Sequence, residues 1–159
     1  ISNFEKYKQS LQEAGFKDLP TIFVDECSLI YIDPDAVDRI IADAGNMTSA
    51  AFISYGMVKP NDGFGDLMVH NFQKLGAPLA GIQKYPTIDS HKQRYLSGGF
   101  PYANSFDLNR AMVLVIEQAQ RAKIMRLELQ DDPEEMALVL DHYVLAVAST
   151  DEPFLTFYE

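Results

Sequence analysis

The sequence is poor in cysteine, in basic residues and in long apolar runs, and each scarcity excludes something. Its one cysteine, Cys27, leaves no partner for a disulfide within the chain and is compatible with a reducing compartment. Lys and Arg number 13 against 23 Asp and Glu, a net charge of −10. That balance argues against a nucleic-acid partner, because a phosphate-backbone binder needs a basic face to displace counterions. No apolar run approaches the roughly 20 residues of a membrane-spanning helix, so no membrane partner is expected. No basic-then-apolar signal segment opens the chain, and its first residue is Ile1 rather than Met, which predicts sequence upstream. The glycine-rich G-x-G-x-x-G and G-x-x-x-x-G-K loops are missing, as is the G-x-S-x-G nucleophile turn. His70, His91 and His142 lack metal-ligand spacing with one another or with Cys27, so no metal is expected. Cys27 reads as a buried, inert thiol rather than a nucleophile.

What is present fits one globular domain: 159 residues, 47% hydrophobic and 23% charged. Phe4, Tyr7, Leu11 and Ala14 share a stripe that predicts a helix over 3–14, stopped by Gly15. Thr21-Ile22-Phe23-Val24 is apolar on both faces and suits a buried parallel strand ending at Asp25-Glu26. Asp33-Pro34 is an N-cap and first-turn proline for a helix through Val37, Ile40 and Ile41 to Gly45. Residues 50–58 form a second buried-strand candidate. After the turn residues 60–63, Phe64, Leu67, Met68 and Phe72 mark the apolar face of a helix over 64–75.

Farther on, residues 77–86 read as a loop, and Thr87 or Asp89 caps a helix over 90–96 stopped by Gly98-Gly99. Residues 106–116 are ambiguous, with Met112 to Ile116 strand-like between helical flanks. Asp132-Pro133 opens a helix carrying Met136, Val139 and Leu140; residues 143–148 and 154–157 read as strands. Strands alternating with helices predict an α/β layer fold with a partly parallel sheet.

Several segments, in order, resemble the leucine carboxyl methyltransferase family. Leu19-Pro20-Thr21, the apolar residues after it and Glu26-Cys27-Ser28-Leu29-Ile30-Tyr31 resemble its L-P-T and E-C-x-L-x-Y. Phe52-Ile53-Ser54-Tyr55 resembles F-I-N-Y, and Phe64-Gly65 with Met68 and Asn71-Phe72 resembles F-G-x-x-M-x-x-N-L. The run from His91 to Phe100 is similar to Q-K-E-R-L-L-S-x-G-W, and Asp107 matches an Asp of A-x-D-M. Leu127-Glu128 through Glu135, then His142-Tyr143, match L-E-x-x-D-E-x-E-E and a near-terminal H-Y. Gly56 and Gly63 depart from the pattern, standing where the family has an acidic and a basic residue.

The resemblance implies the C-terminal half of a Rossmann-like S-adenosylmethionine-dependent methyltransferase fold. Residues 1–159 would be the C-terminal part of a single methyltransferase domain. A preceding half would supply the glycine-rich cofactor loop, the acidic residue for the cofactor ribose and a D-L-R-D-like segment. The implied activity, in the cytoplasm, is methylation of the C-terminal leucine α-carboxylate of the protein phosphatase 2A catalytic subunit, whose C-terminal tail is the expected partner. Glu26, directly after an apolar strand, would emerge where open parallel sheets bind ligands and would contact the cofactor. Tyr31 and Tyr55 would line the substrate side.

No catalytic acid or base is expected, since a carboxylate is ionised at neutral pH and needs placement and exclusion of water instead. Arg94 reads as a surface residue, His142 as a buried structural one, and the acidic run from Asp131 to Glu135 as a solvated helix start. Two alternatives stay open. One is the related carboxyl methyltransferase of the tRNA wybutosine pathway; the other is an acidic binding module without catalysis or affinity for S-adenosylmethionine.

Overall fold

A computed structural model describes residues 3–127 and 132–151. Four strands form one mixed sheet: β1 (Thr21–Glu26), β2 (Ala50–Met57), β3 (Tyr102–Asp107) and β4 (Tyr143–Ser149), in the order β1-β2-β4-β3. β1 and β2 run parallel, with Thr21 opposite Ala50 and Glu26 opposite Tyr55. β4 enters antiparallel between β2 and β3, placing Ala51 opposite Ser149 and Met57 opposite Tyr143. The α/β architecture and the partly parallel sheet expected from the sequence are both present, in a form consistent with a fragment of an S-adenosylmethionine-dependent methyltransferase-like fold.

The helices begin and end where local chemistry places them. In α1 (Phe4–Glu13) the Asn3 side chain accepts the Lys6 N–H, and Gly15 beyond the helix takes φ +75°. α2 (Pro34–Gly45) is capped by Asp33, which accepts from the Asp35 and Ala36 amides. Asp62 caps α3 (Gly63–Lys74) by accepting the Gly65 N–H at 2.8 Å. Thr87 and Ser90 cap α4 (Ile88–Ser97) reciprocally, and Gly98 ends it. Three further helices follow: α5 (Leu108–Val115), α6 (Gln118–Ile124) and α7 (Pro133–Asp141), the last capped by Asp132.

Two faces of the sheet differ. Phe52, Ala146 and Ala148 on one face pack with Val37, Ile41 and Ala44 of α2, Tyr95 of α4 and Phe100. There the Phe52 ring stacks on Phe23 and meets Tyr95 and Phe100 edge-on or tilted. The crossing of α2 and α4 depends on small residues. A Cβ on Gly45 would strike the Gly98 carbonyl, and one on Gly98 would lie 2.6 Å from Ile41 Cγ2. On the opposite face α5 covers only the β3–β4 half, through Phe106, Ala111 and Val147 with Ile53 and Leu145 alongside. A third cluster, Ile30, Met57, Met68, Leu79 and Ile82, closes the carboxyl ends of β1 and β2 beneath α3.

Four readings of the sequence are corrected. β1 is parallel, but among the described residues it is an edge strand with one face open: Ile22 and Val24 are 60% and 73% exposed. Met112 to Val115 is helical, because Asp107 caps α5 by accepting the Arg110 N–H at 2.8 Å and Ala111 then packs against the sheet. The strand of that region is β3, just upstream, whose Asn104 and Ser105 gave no apolar signal; its register comes from pairing with β4. Leu67 is exposed rather than on the packed side of α3. Residues 154–157, read as a strand, lie outside the described residues, as do Glu128 to Asp131.

Candidate functional site

The carboxyl ends of the parallel pair β1–β2 lie together at one rim of the sheet, flanked by the cluster under α3, at the place where open α/β sheets bind ligands. Alternation puts Glu26 and Tyr55 opposite one another on the open face, in a cross-strand row that continues through Leu145 to Phe106. Glu26 is exposed at the end of β1. The chain then turns sharply: Cys27 takes φ +49°, donates its N–H to the Tyr55 carbonyl at 2.8 Å, and leads into a 3-10 turn over Leu29–Tyr31. That turn presents Tyr31 against Phe72 of α3, ring centroids 6.1 Å apart.

Tyr55 stacks almost parallel on Tyr143 at 5.1 Å, with 12° between the planes. Glu26, Tyr31 and Tyr55 are therefore brought to one rim around Cys27. Tyr143, at the start of β4, and Phe72 complete its aromatic lining. The sequence drew attention to neither as a site residue, since Tyr143 reaches Tyr55 only through the antiparallel pairing of Met57 with Tyr143.

Electrostatics at the rim favour protonated phenols and a protonated thiol. Burial pushes the Cys27 thiol up to about 11, and the charges of Asp25 and Glu26 add to this. Burial likewise pushes Tyr55 up to about 12, with Tyr143, Cys27 and Glu26 contributing. Tyr31 and Tyr143 are raised too, first by burial and then by Cys27. At neutral pH the site thus offers hydrogen-bond donors and ring faces, with Glu26 as its acidic group. Cys27 is no thiolate, in keeping with its inert reading.

The remaining singled-out residues lie elsewhere. Arg94, expected at the surface, is 8% exposed at its side chain: its Nε donates to Asp38 at 2.7 Å and its guanidinium lies 4.2 Å from the Tyr85 ring centroid. It clamps α4 to α2, a role that requires the nonlocal approach of Asp38. His142 is 1% exposed and structural, as read. Its Nδ1 lies 2.8 Å from the Leu138 carbonyl oxygen and its Nε2 2.9 Å from the Asp62 carboxylate. The Gly65 amide and His142 hold Asp62 below the usual carboxylate range. Gly56 faces His91 and Val144, away from the Tyr55 side, and Gly63 opens α3 with free space around it. Among the described residues no group of His, Cys, Asp and Glu could hold a metal ion. No helix there is long and apolar enough to cross a membrane.

Residues 2–45 match the leucine carboxyl methyltransferase family. The tRNA wybutosine-synthesizing protein 4 of Rattus norvegicus is 30% identical over 151 residues, 94% of this chain and 22% of that protein. A leucine carboxyl methyltransferase 1 homolog of Arabidopsis thaliana is 31% identical over 134 residues, 84% of this chain and 40% of its own length. Leucine carboxyl methyltransferase 1 of Bos taurus is 33% identical over 135 residues, 82% of this chain and 40% of its own. The chain thus spans less than half the length of these relatives.

Proposed function

We propose, starting from the chain's membership of the leucine carboxyl methyltransferase family, that it forms the C-terminal part of one methyltransferase domain. That domain uses S-adenosylmethionine to methylate the C-terminal leucine α-carboxylate of the protein phosphatase 2A catalytic subunit, a cytoplasmic reaction. The reading rests on the convergence of Glu26, Tyr31 and Tyr55 at the carboxyl ends of β1 and β2.

Those residues suit the chemistry. S-adenosylmethionine supplies a methyl on a cationic sulfonium; a carboxylate oxygen bonds to that carbon as the carbon–sulfur bond breaks, and no proton moves. Glu26 offers a negative charge to the cationic co-substrate, and the Tyr55–Tyr143 stack offers ring faces that attract cations. Tyr31 and Tyr55 keep their phenolic protons at neutral pH and can donate to the acceptor carboxylate, fixing its oxygen in line. The cluster under α3, with Met57, Met68 and Ile30, shields the rim from water on one side.

A second reading, methylation in the tRNA wybutosine pathway, has its own support in the match to the rat protein over 94% of this chain. The net charge of −10 favours the protein substrate. Methyl transfer from labelled S-adenosylmethionine, with a leucine-ended phosphatase peptide and tRNA as competing acceptors, decides between them. Calorimetry showing no binding of S-adenosylmethionine by the full-length protein sinks both and leaves the acidic binding module.

A further inference from the structure

The rim is built on a turn, and one buried carboxylate holds that turn. Asp25 points to the side of β1 opposite Glu26 and is 7% exposed. Its Oδ1 accepts from the Ser28 N–H at 3.0 Å, the Ser28 hydroxyl at 2.5 Å and the Leu29 N–H at 3.1 Å. Its Oδ2 accepts from the Ser54 hydroxyl of β2 at 2.9 Å. One oxygen therefore grips the turn while the other grips the neighbouring strand.

From this geometry we infer that Asp25 is a positioning residue for the ligand rim, fixing the Glu26-to-Tyr31 turn against β2 so that Glu26, Tyr31 and Tyr55 face one ligand; the inference rests on the methyltransferase reading above. Cys27 sits in the left-handed region, a strained conformation for a non-glycine residue that persists only where its surroundings hold it. Two constraints hold it: its own N–H on the Tyr55 carbonyl, and the Asp25 carboxylate on the two amides that follow. With Asp25 removed, the Ser28 and Leu29 amides and the buried Ser54 hydroxyl lose their carboxylate acceptor, and the turn can relax toward a right-handed Cys27. Tyr31 then shifts relative to Glu26.

Space for such slack exists. A cavity of about 20 Å³, room for a single water, lies beside Asp25 and is lined by Ser54, His91, Arg94, Tyr85 and Ile82 among others. Asn at position 25 keeps the arrangement. Its Oδ1 accepts from the same two amides, and its Nδ2 can donate to Ser54 Oγ.

The test uses the full-length protein with S-adenosylmethionine as the probe, by calorimetry, and amide exchange at Ser28 and Leu29 without ligand. Asp25→Ala is expected to weaken binding at least tenfold and to speed exchange of the two amides at least tenfold. Asp25→Asn should bind within threefold of wild type. Val147→Ala, a cavity in the core under α5, serves as the control: it lowers the melting temperature but leaves affinity within twofold. An Asp25→Ala protein that binds within twofold of wild type, or whose two amides stay protected, overturns the inference while the methyltransferase reading stands. A wild-type protein that does not bind S-adenosylmethionine overturns that reading, and the inference with it. If Asp25→Ala does not fold, the double variant Ser28→Ala and Ser54→Ala removes two of the four bonds. It should weaken binding about fivefold, and unchanged affinity there counts against the inference equally.

Discussion

The two faces of the β1–β2 half-sheet follow different rules. Phe52 looks toward α2 and α4 and is enclosed by aromatic and aliphatic partners; Val24, on the opposite face of the adjacent strand, meets solvent. Both faces carry apolar residues, so hydrophobicity alone does not tell them apart. The closed face has helices whose small residues, Gly45 and Gly98, let them approach closely. Among the described residues the open face has none over β1, and there Glu26 and Tyr55 stand at the rim. Apolar pattern marks where a face can be buried; the helices supplied by connectivity decide which face is.

The strongest way to test this contrast is to damage the closed face. Phe52→Ala should cost about 3–5 kcal/mol, read as a lower midpoint in urea, because three aromatic rings, Phe23, Tyr95 and Phe100, lose their shared partner. A loss below about 1 kcal/mol would mean that the closed face is loosely packed.

Next in size is a pH effect from the same side. Burial, with the Arg94 charge adding to it, lowers the pKa of His91 from 6.5 to about 4. In the unfolded chain His91 takes up its proton near 6.5, so between there and 4 the unfolded state holds more protons. Stability contributed by neutral His91 is full above pH 6.5 and falls as pH drops to 4, by on the order of 3 kcal/mol. Unfolding midpoints at pH 7 and 4.5 for wild type and His91→Gln should show a shallower acid loss in the variant; equal slopes would contradict the burial argument.

The open face should respond in ligand binding rather than in folding. Glu26→Gln should weaken S-adenosylmethionine binding about tenfold, about 1.4 kcal/mol, while thermal stability stays within about 0.5 kcal/mol. An equal loss of stability would make Glu26 a structural residue. The smallest expected effect is at Val24. In the 159-residue chain Val24→Lys should leave stability within about 0.5 kcal/mol and reduce concentration-dependent association in sedimentation, since it charges an exposed apolar edge. A large loss of stability there would show that the open face is covered after all.

Much of this was legible in the chain itself, and the misses share a cause. Asp33, Thr87 and Asp132 cap helices through atoms two or three residues away, so their spacing alone announces those helices. Glu26 at the end of an apolar run, with Tyr31 five residues on, likewise lies within one stretch of chain. β3 was hidden because its hydrogen-bond partner is β4, some forty residues later, and its own polar residues show no alternation. Asp25 looked like one of two acids ending a strand; only the return of Ser54 beside it makes it the anchor of the rim. Arg94 appeared solvent-bound because Asp38, 56 residues away, is invisible from its own helix.

By itself, then, the sequence determined what acts over one or two turns of chain: helix caps, strand stretches, an acidic and membrane-poor composition, and the Glu26–Tyr31 segment. Tertiary structure alone decided strand order, which face of β1 stays open, and that Tyr143 stacks on Tyr55 while Arg94 turns inward. The reason is physical. Local hydrogen bonds and dihedral preferences act between near neighbours, whereas burial and pairing depend on segments whose approach is fixed only when the whole sheet forms.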